Sequence, residues 1–374
     1  MVKTVKTSQI IGEGKYGCVL KPSLKCRKTK KSFHYKNKIS KIMKKSESAT
    51  EMVEYDIMKR IDPSHQYYLG YPTKCSPKKT EMAKKSVKKC EHFSEKKLDE
   101  YDLLVMEYGG LNIKQFAHWV DKQSSNNSPK KYQKIMKDFW LECRRMFDGV
   151  LLLKKNGVLH NDLKPQNIVY DMKKKRTNFI DFGLTLFSKD VRKMCEESKY
   201  YNDSLHWSYP PEIILTNKDK FNKITEGEKS HTQFSLREKE FKDFVKDVED
   251  DQDGHINYFM EVTEKSFGYP LESETESPLL DMVKQHIEDF HTFLYKEIDK
   301  HSYDDFMNAF INTMDVYGLG VSLIYLLHRT ADLIPETVAK QLNALFLRML
   351  HFNVFQRIGP EEAKQEFETI IQGL

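Results

Sequence analysis

The chain has 374 residues, 39% of them hydrophobic and 31% charged, which suits about two compact units of ~100–200 residues and excludes an intrinsically disordered chain. Its net charge of +6 hides an asymmetry: residues 1–100 hold 25 Lys and Arg against 11 Asp and Glu, and residues 101–374 hold 36 against 44. A basic first segment favours polyanions, a nucleotide triphosphate being the nearest candidate. Nucleic acid is the weaker reading, because runs such as Lys84-Lys85 and Lys88-Lys89 read as solvated loops.

No apolar stretch follows the charges of the first residues, so no secretory signal is expected. Strands are predicted at Gln9–Gly12, Gly17–Lys21 and, after a basic loop, Lys38–Met43. Ser48-Ala49-Thr50-Glu51 fits a helix-capping box, and apolar spacing through Val53, Ile57 and Ile61 predicts a helix that Asp62-Pro63 ends. Residues 63–98 are rich in Lys, Ser and Pro without clear periodicity and read as a long surface insertion. Leu103–Met106 is a short strand that breaks at Gly109-Gly110. Helices dominate beyond Leu111, with strong candidates at Phe139–Asn156 and at Met314–Leu327, and short strands between His160 and Asp181. The most apolar window, Phe310–Leu327, is interrupted by Asn312 and Asp315 and reads as a buried helix, not a membrane span. Residues 213–309 read as a polar insertion.

Six cysteines show no framework spacing, so reduced thiols in a soluble, cytoplasmic protein are the expectation. Cys75, Cys90 and His92 match no common zinc site. Glu249–Asn257 imitates a calcium loop, but counting twelve positions from Glu249 reaches Met260, with Glu261 one place late, so an acidic turn is the better reading.

Three patterns carry chemistry. Ile11-Gly12-Glu13-Gly14-Lys15-Tyr16-Gly17-Cys18-Val19 fits G-x-G-x-x-G-x-V, where glycines let backbone N–H groups approach phosphate oxygens. Val19 continues into a strand, so a strand–turn–strand flap fits better than a dinucleotide site. Next, a cation is needed on the phosphates: Lys41 in Lys38-Ile39-Ser40-Lys41 is chosen, with Lys38 as the alternative, and Glu54 in the following helix is expected to hold it. The third pattern is His160-Asn161-Asp162-Leu163-Lys164-Pro165-Gln166-Asn167, with Asp181-Phe182-Gly183 beginning fourteen positions after Asn167. Phosphoryl transfer needs a carboxylate to orient a hydroxyl proton (Asp162) and a lysine near the transferring group (Lys164). It also needs oxygen ligands for Mg²⁺ or Mn²⁺, here Asn167 and Asp181.

Together these motifs resemble the eukaryotic-type protein kinase family. The resemblance implies an α+β, two-lobed fold with ATP between the lobes. Residues 1–108 would form a small antiparallel β lobe with one main helix, and 109–374 a large, mostly α-helical lobe. It also implies a hinge at Met106-Glu107-Tyr108-Gly109, where backbone groups of Glu107 and Gly109 bond adenine, and Val19 and Val169 sandwiching the ring. Tyr209-Pro210-Pro211-Glu212 resembles the end of the activation segment, Asp315 the aspartate that braces the catalytic loop, and Arg357 the partner of Glu212. Lys164 in Asp-Leu-Lys-Pro-x-Asn resembles the serine/threonine class, which makes a protein with a Ser or Thr hydroxyl the expected partner. Residues Tyr16–Pro22 and Cys26 are also similar to kinases of large DNA viruses, for which host cytoplasm or virion would be the location.

One departure bears on regulation. Asn161 replaces the family's arginine, which receives a phosphorylated activation-loop residue, so phosphorylation of Ser198, Tyr200, Tyr201 or Ser204 is not expected to raise turnover. Two alternatives to a protein kinase are a pseudokinase scaffold, which would not need the metal ligands, and a small-molecule phosphotransferase, which would not need the Glu212–Arg357 pair.

Overall fold

Alternation of apolar and polar residues in the first hundred positions builds a twisted sheet, seen here in a computed structural model that describes residues 7–14, 16–28, 33–126, 128–200, 208–225, 235, 237–242, 285 and 288–374. Its strands are β1 (Gln9–Gly14), β2 (Gly17–Lys21), β3 (Lys38–Lys44), β4 (Thr73–Cys75) and β5 (Tyr101–Glu107), in the order β1-β2-β3-β5-β4 with antiparallel pairing. Two compact units result: Met1–Gly110 with Asn178–Gly183, and Leu111–Thr177 with Leu184–Leu374. The short segment containing Asp181 therefore groups with the small unit, although it lies far along the chain.

Helix α1 runs Lys45–Ile61, four residues earlier than a cap at Ser48 implied. Ser48 lies inside the helix, its hydroxyl bonded to Lys45 O and Asp102 Oδ2. The buried face is Ser48, Glu51, Tyr55, Ile57 and Met58, while Val53 is 62% exposed. At 100° per residue, positions 48, 51, 55 and 58 share one side, and that side faces the sheet. The helix ends at Ile61, and Asp62 then accepts from the backbone N–H groups of Gln66 and Tyr67.

The segment 63–98 is more than a surface excursion. It contributes β4, helix α2 (Glu81–Val87) and a 3₁₀ turn, and Ala83, Val87, Phe93 and Leu98 join Leu20, Ile42 and Leu103 in the core of the small unit. The expectation of reduced cysteines fails for four of the six: Cys18 bonds Cys90 and Cys26 bonds Cys75. These partners are 72 and 49 residues apart, so local spacing held no trace of them. The fold brings them together through contacts such as the bridge between Cys26 and Pro77. Cys143 and Cys195 stay free and buried. Glu13 lies beside Cys18 and Cys90, but with their sulfurs joined no thiolate remains there for a metal.

The large unit opens with β6 (Leu111–Asn112), which pairs with β8 (Ile168–Asp171), and with α3 (Ile113–Ser124), closed at its start by a capping box between Asn112 and Gln115. Helix α4 (Pro129–Lys155) begins ten residues before the predicted Phe139. Strands β7 (Val158–Leu159), β9 (Arg176–Phe179) and β10 (Leu186–Phe187) follow, and β7 pairs with β10. Helices α5 (Ser188–Glu196), α6 (Lys218–Thr225), α7 (Tyr303–Thr330), α8 (Glu336–Met349) and α9 (Pro360–Ile370) complete it. Residues Tyr303–Leu333 include a window apolar and long enough to cross a membrane, yet 89% of that window is buried. The ends of the expected insertion 213–309 are core: Phe221, Ile224, Phe290, Phe293 and Ile298 are buried. The calcium-loop imitation at 249–257 lies outside the described residues.

Candidate active site

In the small unit, β1 and β2 form the glycine flap, with Glu13 opposite Cys18 and Gly14 opposite Gly17. A Cβ at Gly17 would meet Lys41 Cε at 2.8 Å and Cγ at 3.0 Å, so a side chain there would displace Lys41. Ile11, Gly12 and Glu13 lie on β1, Cys18 and Val19 on β2, and Tyr16 at the turn is exposed; Lys15 lies outside the described residues. The far edge of the flap is tied to the insertion, since Glu13 Oε1 accepts from Glu91 N at 2.6 Å and Ser86 Oγ accepts from Ser8 N at 2.9 Å.

The choice between the two lysines resolves by register. Lys38 faces Glu107 across β3–β5 and pairs with it at 2.7 Å. Lys41 reaches Glu51 Oε2 at 2.7 Å and Asp181 Oδ1 at 3.1 Å. The expectation that Glu54 holds Lys41 is therefore corrected to Glu51, one turn earlier. Burial would lower the Lys41 pKa, but the carboxylates of Asp181 and Glu51 more than offset it, so the ammonium stays charged. Glu54 Oε2 is buried without a hydrogen-bond partner among the described residues, near the Gly183 Cα. Desolvation, followed by repulsion from Glu51, pushes the Glu54 carboxyl up to about 7.

Asp181 sits in the left-handed region at φ 61°, which Asp tolerates. Phe182 beside it stacks edge-on against Tyr55 of α1, with centroids 5.4 Å apart, and against Tyr68 at 5.9 Å. This aromatic contact, together with the backbone bond from Phe179 N to Tyr67 O, fixes Asp181 against the helix that carries Glu51. Glu107 is the last residue of β5, Gly109 lies two positions beyond it, and Tyr108 N donates to Asn37 O.

In the large unit the loop after β7 carries Asp162. Asn167 Nδ2 donates to Asp162 O (2.8 Å) and Asp162 Oδ2 (2.7 Å), and Lys164 Nζ donates to Asp162 Oδ1 at 2.8 Å. With its amide protons spent on Asp162, Asn167 offers its carbonyl oxygen as a ligand. That hard donor, like a carboxylate oxygen of Asp181, suits Mg²⁺ or Mn²⁺. Val169 follows on β8, paired with Asn112.

Asp315 of α7 supports the loop from beneath, accepting from His160 N at 2.8 Å and Asn161 N at 3.0 Å. Burial pushes its carboxyl up to about 6 against the pull of those two bonds. The close crossing of α7 needs Gly318, where a Cβ would come within 2.4 Å of Leu163 O. Arg357 clamps Glu212 at 2.6 and 2.9 Å, both side chains fully buried, and donates further to His351 O. Glu51, Tyr55 and Tyr68 were missed from sequence. The available signal for Glu51 was its spacing from Tyr55 and Met58 on a single helix face.

A profile of the protein kinase domain matches residues 5–226. Calcium-dependent protein kinase 13 of Arabidopsis thaliana is 43% identical over 78 residues, 19% of this chain and 15% of that protein. Calcium-dependent protein kinase 16 of Oryza sativa subsp. japonica is 40% identical over 78 residues, 19% and 14% respectively. Calcium-dependent protein kinase 4 of Plasmodium berghei is 36% identical over 73 residues, 18% and 14%. The match thus spans about one-seventh of the length of these curated relatives.

Proposed function

The chain belongs to the protein kinase family, and from that premise we propose that it transfers the γ-phosphoryl group of ATP to a serine or threonine hydroxyl of another protein. The observation that carries the reading is the Asp162 cluster. Its carboxylate is oriented by Asn167 and neutralised by Lys164, which is what a group needs to accept or steer a hydroxyl proton while negative phosphate approaches. Lys41, held charged by Glu51, is the cation for the nucleotide phosphates, and the glycine flap supplies backbone N–H groups to them. Asn167 and Asp181 would hold Mg²⁺ or Mn²⁺, which when bound neutralises charge on the phosphates. By resemblance to the family, backbone groups of Glu107 and Gly109 are the candidates to bond adenine, and Val19 and Val169 the candidates to pack on the ring.

The buried Glu212–Arg357 clamp supports a protein substrate, because it rigidifies the segment that would form a peptide platform. Lys164 supports serine/threonine over tyrosine. Nothing favours the scaffold alternative, since the chain keeps Asp162, Asn167 and Asp181, which a scaffold would not need. The narrower likeness to kinases of large DNA viruses rests on Tyr16–Pro22 and Cys26 alone. Transfer from γ-labelled ATP to casein, followed by phosphoamino-acid analysis, tests the reading. Label on serine or threonine is expected, and label confined to tyrosine or absent altogether would overturn it.

A further inference from the structure

Asn161 is 6% exposed and sits at φ 64° in the catalytic loop, next to Asp162. Its backbone N–H belongs to Asp315. Its side-chain amide meets the hydroxyl of Tyr200, which donates to Asn161 Oδ1. The bond survives either orientation of the amide, because a phenol can donate or accept. The Tyr200 ring packs edge-on against Phe310 of α7, with centroids 6.2 Å apart, so the ring is held by the helix that bears Asp315 and the hydroxyl by the catalytic loop that Asp315 braces. Two residues earlier, Ser198 Oγ accepts from Asn217 Nδ2 at 2.7 Å. The chain leaving α5 is thus anchored twice, by neutral groups, just before the segment that leads to Glu212.

An arginine at position 161 would place a guanidinium in a buried site, and a buried charge there needs an anion such as a phosphate. An amide has no such need: a neutral donor satisfies it as the protein is synthesised. We propose that Tyr200 is a positioning residue for phosphoryl transfer: its unmodified hydroxyl, bonded to Asn161, holds the activation segment in working register against the catalytic loop and replaces a phosphate-dependent latch. The proposal rests on the kinase reading above. It also makes Tyr200 unsuited to activation by phosphorylation, since its hydroxyl is already enclosed and engaged; burial keeps that phenol well above its ordinary pKa and therefore neutral.

The test compares the full chain with Tyr200→Phe, Asn161→Ala and the double variant, using Mg²⁺, ATP and casein. Loss of one buried neutral hydrogen bond predicts a five- to tenfold fall in kcat for each single variant, with the KM for ATP within twofold of wild type. The double variant should be no slower than the slower single. A Tyr200→Phe enzyme with wild-type kcat overturns the proposal, as does a double variant whose losses multiply. A generally loosened fold would instead raise the KM for ATP and lower thermal stability in step. Amide hydrogen exchange gives a reading independent of turnover: Tyr200→Phe should speed exchange at His160, Asn161 and residues 196–200. If the wild type transfers no phosphate, the kinase reading falls. The latch then stands or falls on exchange alone, and unchanged rates in Tyr200→Phe refute it.

Discussion

Replacing Glu51 by Gln while leaving Glu54 intact separates the observed lysine partner from the one that the helix pattern suggested. The Lys41 and Glu51 side chains are only 14% and 5% exposed, and their contact is 2.7 Å. Breaking a buried pair outright costs ~3–5 kcal/mol. Two features reduce that here: Asp181 remains 3.1 Å from Lys41, and glutamine keeps an acceptor oxygen. A loss of ~1.5–3 kcal/mol in transition-state stabilisation is the expected remainder, or about 10- to 150-fold in kcat/KM for ATP. Glu54→Gln removes a carboxylate whose Oε2 has no hydrogen-bond partner among the described residues, so its effect should stay within about threefold. Steady-state phosphorylation at saturating casein and varied ATP measures both, with thermal unfolding run alongside to confirm folding. Equal losses for the two variants, or a Glu51→Gln enzyme within threefold of wild type, would refute the reasoning.

Asp315 predicts a pH dependence of opposite sign for activity and stability. Ionised, it accepts from two backbone N–H groups, and protonated it loses an acceptor, so kcat should fall as pH drops through about 6. Its folded pKa lies above the ordinary 3.8. The native state therefore holds a proton that the unfolded chain has released, and this stabilising contribution is complete below about pH 4 and lost as pH rises through 6. The stability difference between wild type and Asp315→Asn should shift toward wild type on acidification, by up to about 3 kcal/mol; an acid limb in kcat that persists in Asp315→Asn speaks against it. Arg357→Ala strands Glu212 in the core and should lower stability by ~3–5 kcal/mol in denaturant melts, whereas a paired Arg357→Met, Glu212→Leu variant should recover much of it. Alkylating the denatured, unreduced protein should label two cysteines, Cys143 and Cys195, against six after reduction with a dithiol. Closing the 72-residue span between Cys18 and Cys90 is worth about 4 kcal/mol in the chain-entropy picture, so Cys18→Ser should visibly lower the unfolding midpoint.

The parts of the site that could be read from sequence are those whose residues are close together in the chain. Asp162, Lys164 and Asn167 lie within six positions, and their chemistry restricts the residue types. Lys41 was readable because strand alternation separates it from Lys38, and the register with β5 assigns Lys38 to Glu107. Glu51 was lost because Ser48-x-x-Glu51 imitates a cap. The apolar spacing through Val53 also pointed to the wrong face, since Glu51, Tyr55 and Met58 share the buried side of the helix and Val53 is exposed. The apolar residues of the 63–98 segment, Ala83, Val87, Phe93 and Leu98, are too widely spaced to show a period, yet each fills the small unit's core. The two disulfides depend on partners that tertiary folding alone brings together. The role of Tyr200 was invisible for a similar reason, because 39 residues separate it from Asn161.

The central claim is that Asp162 performs the proton work of phosphoryl transfer, and single-turnover transfer from γ-labelled ATP to casein with excess enzyme tests it directly. Asp162→Asn keeps the shape of the cluster but removes the charge, and it should slow the transfer step by at least ~10²-fold while ATP still binds. A variant that transfers phosphate as fast as the wild type would contradict the account.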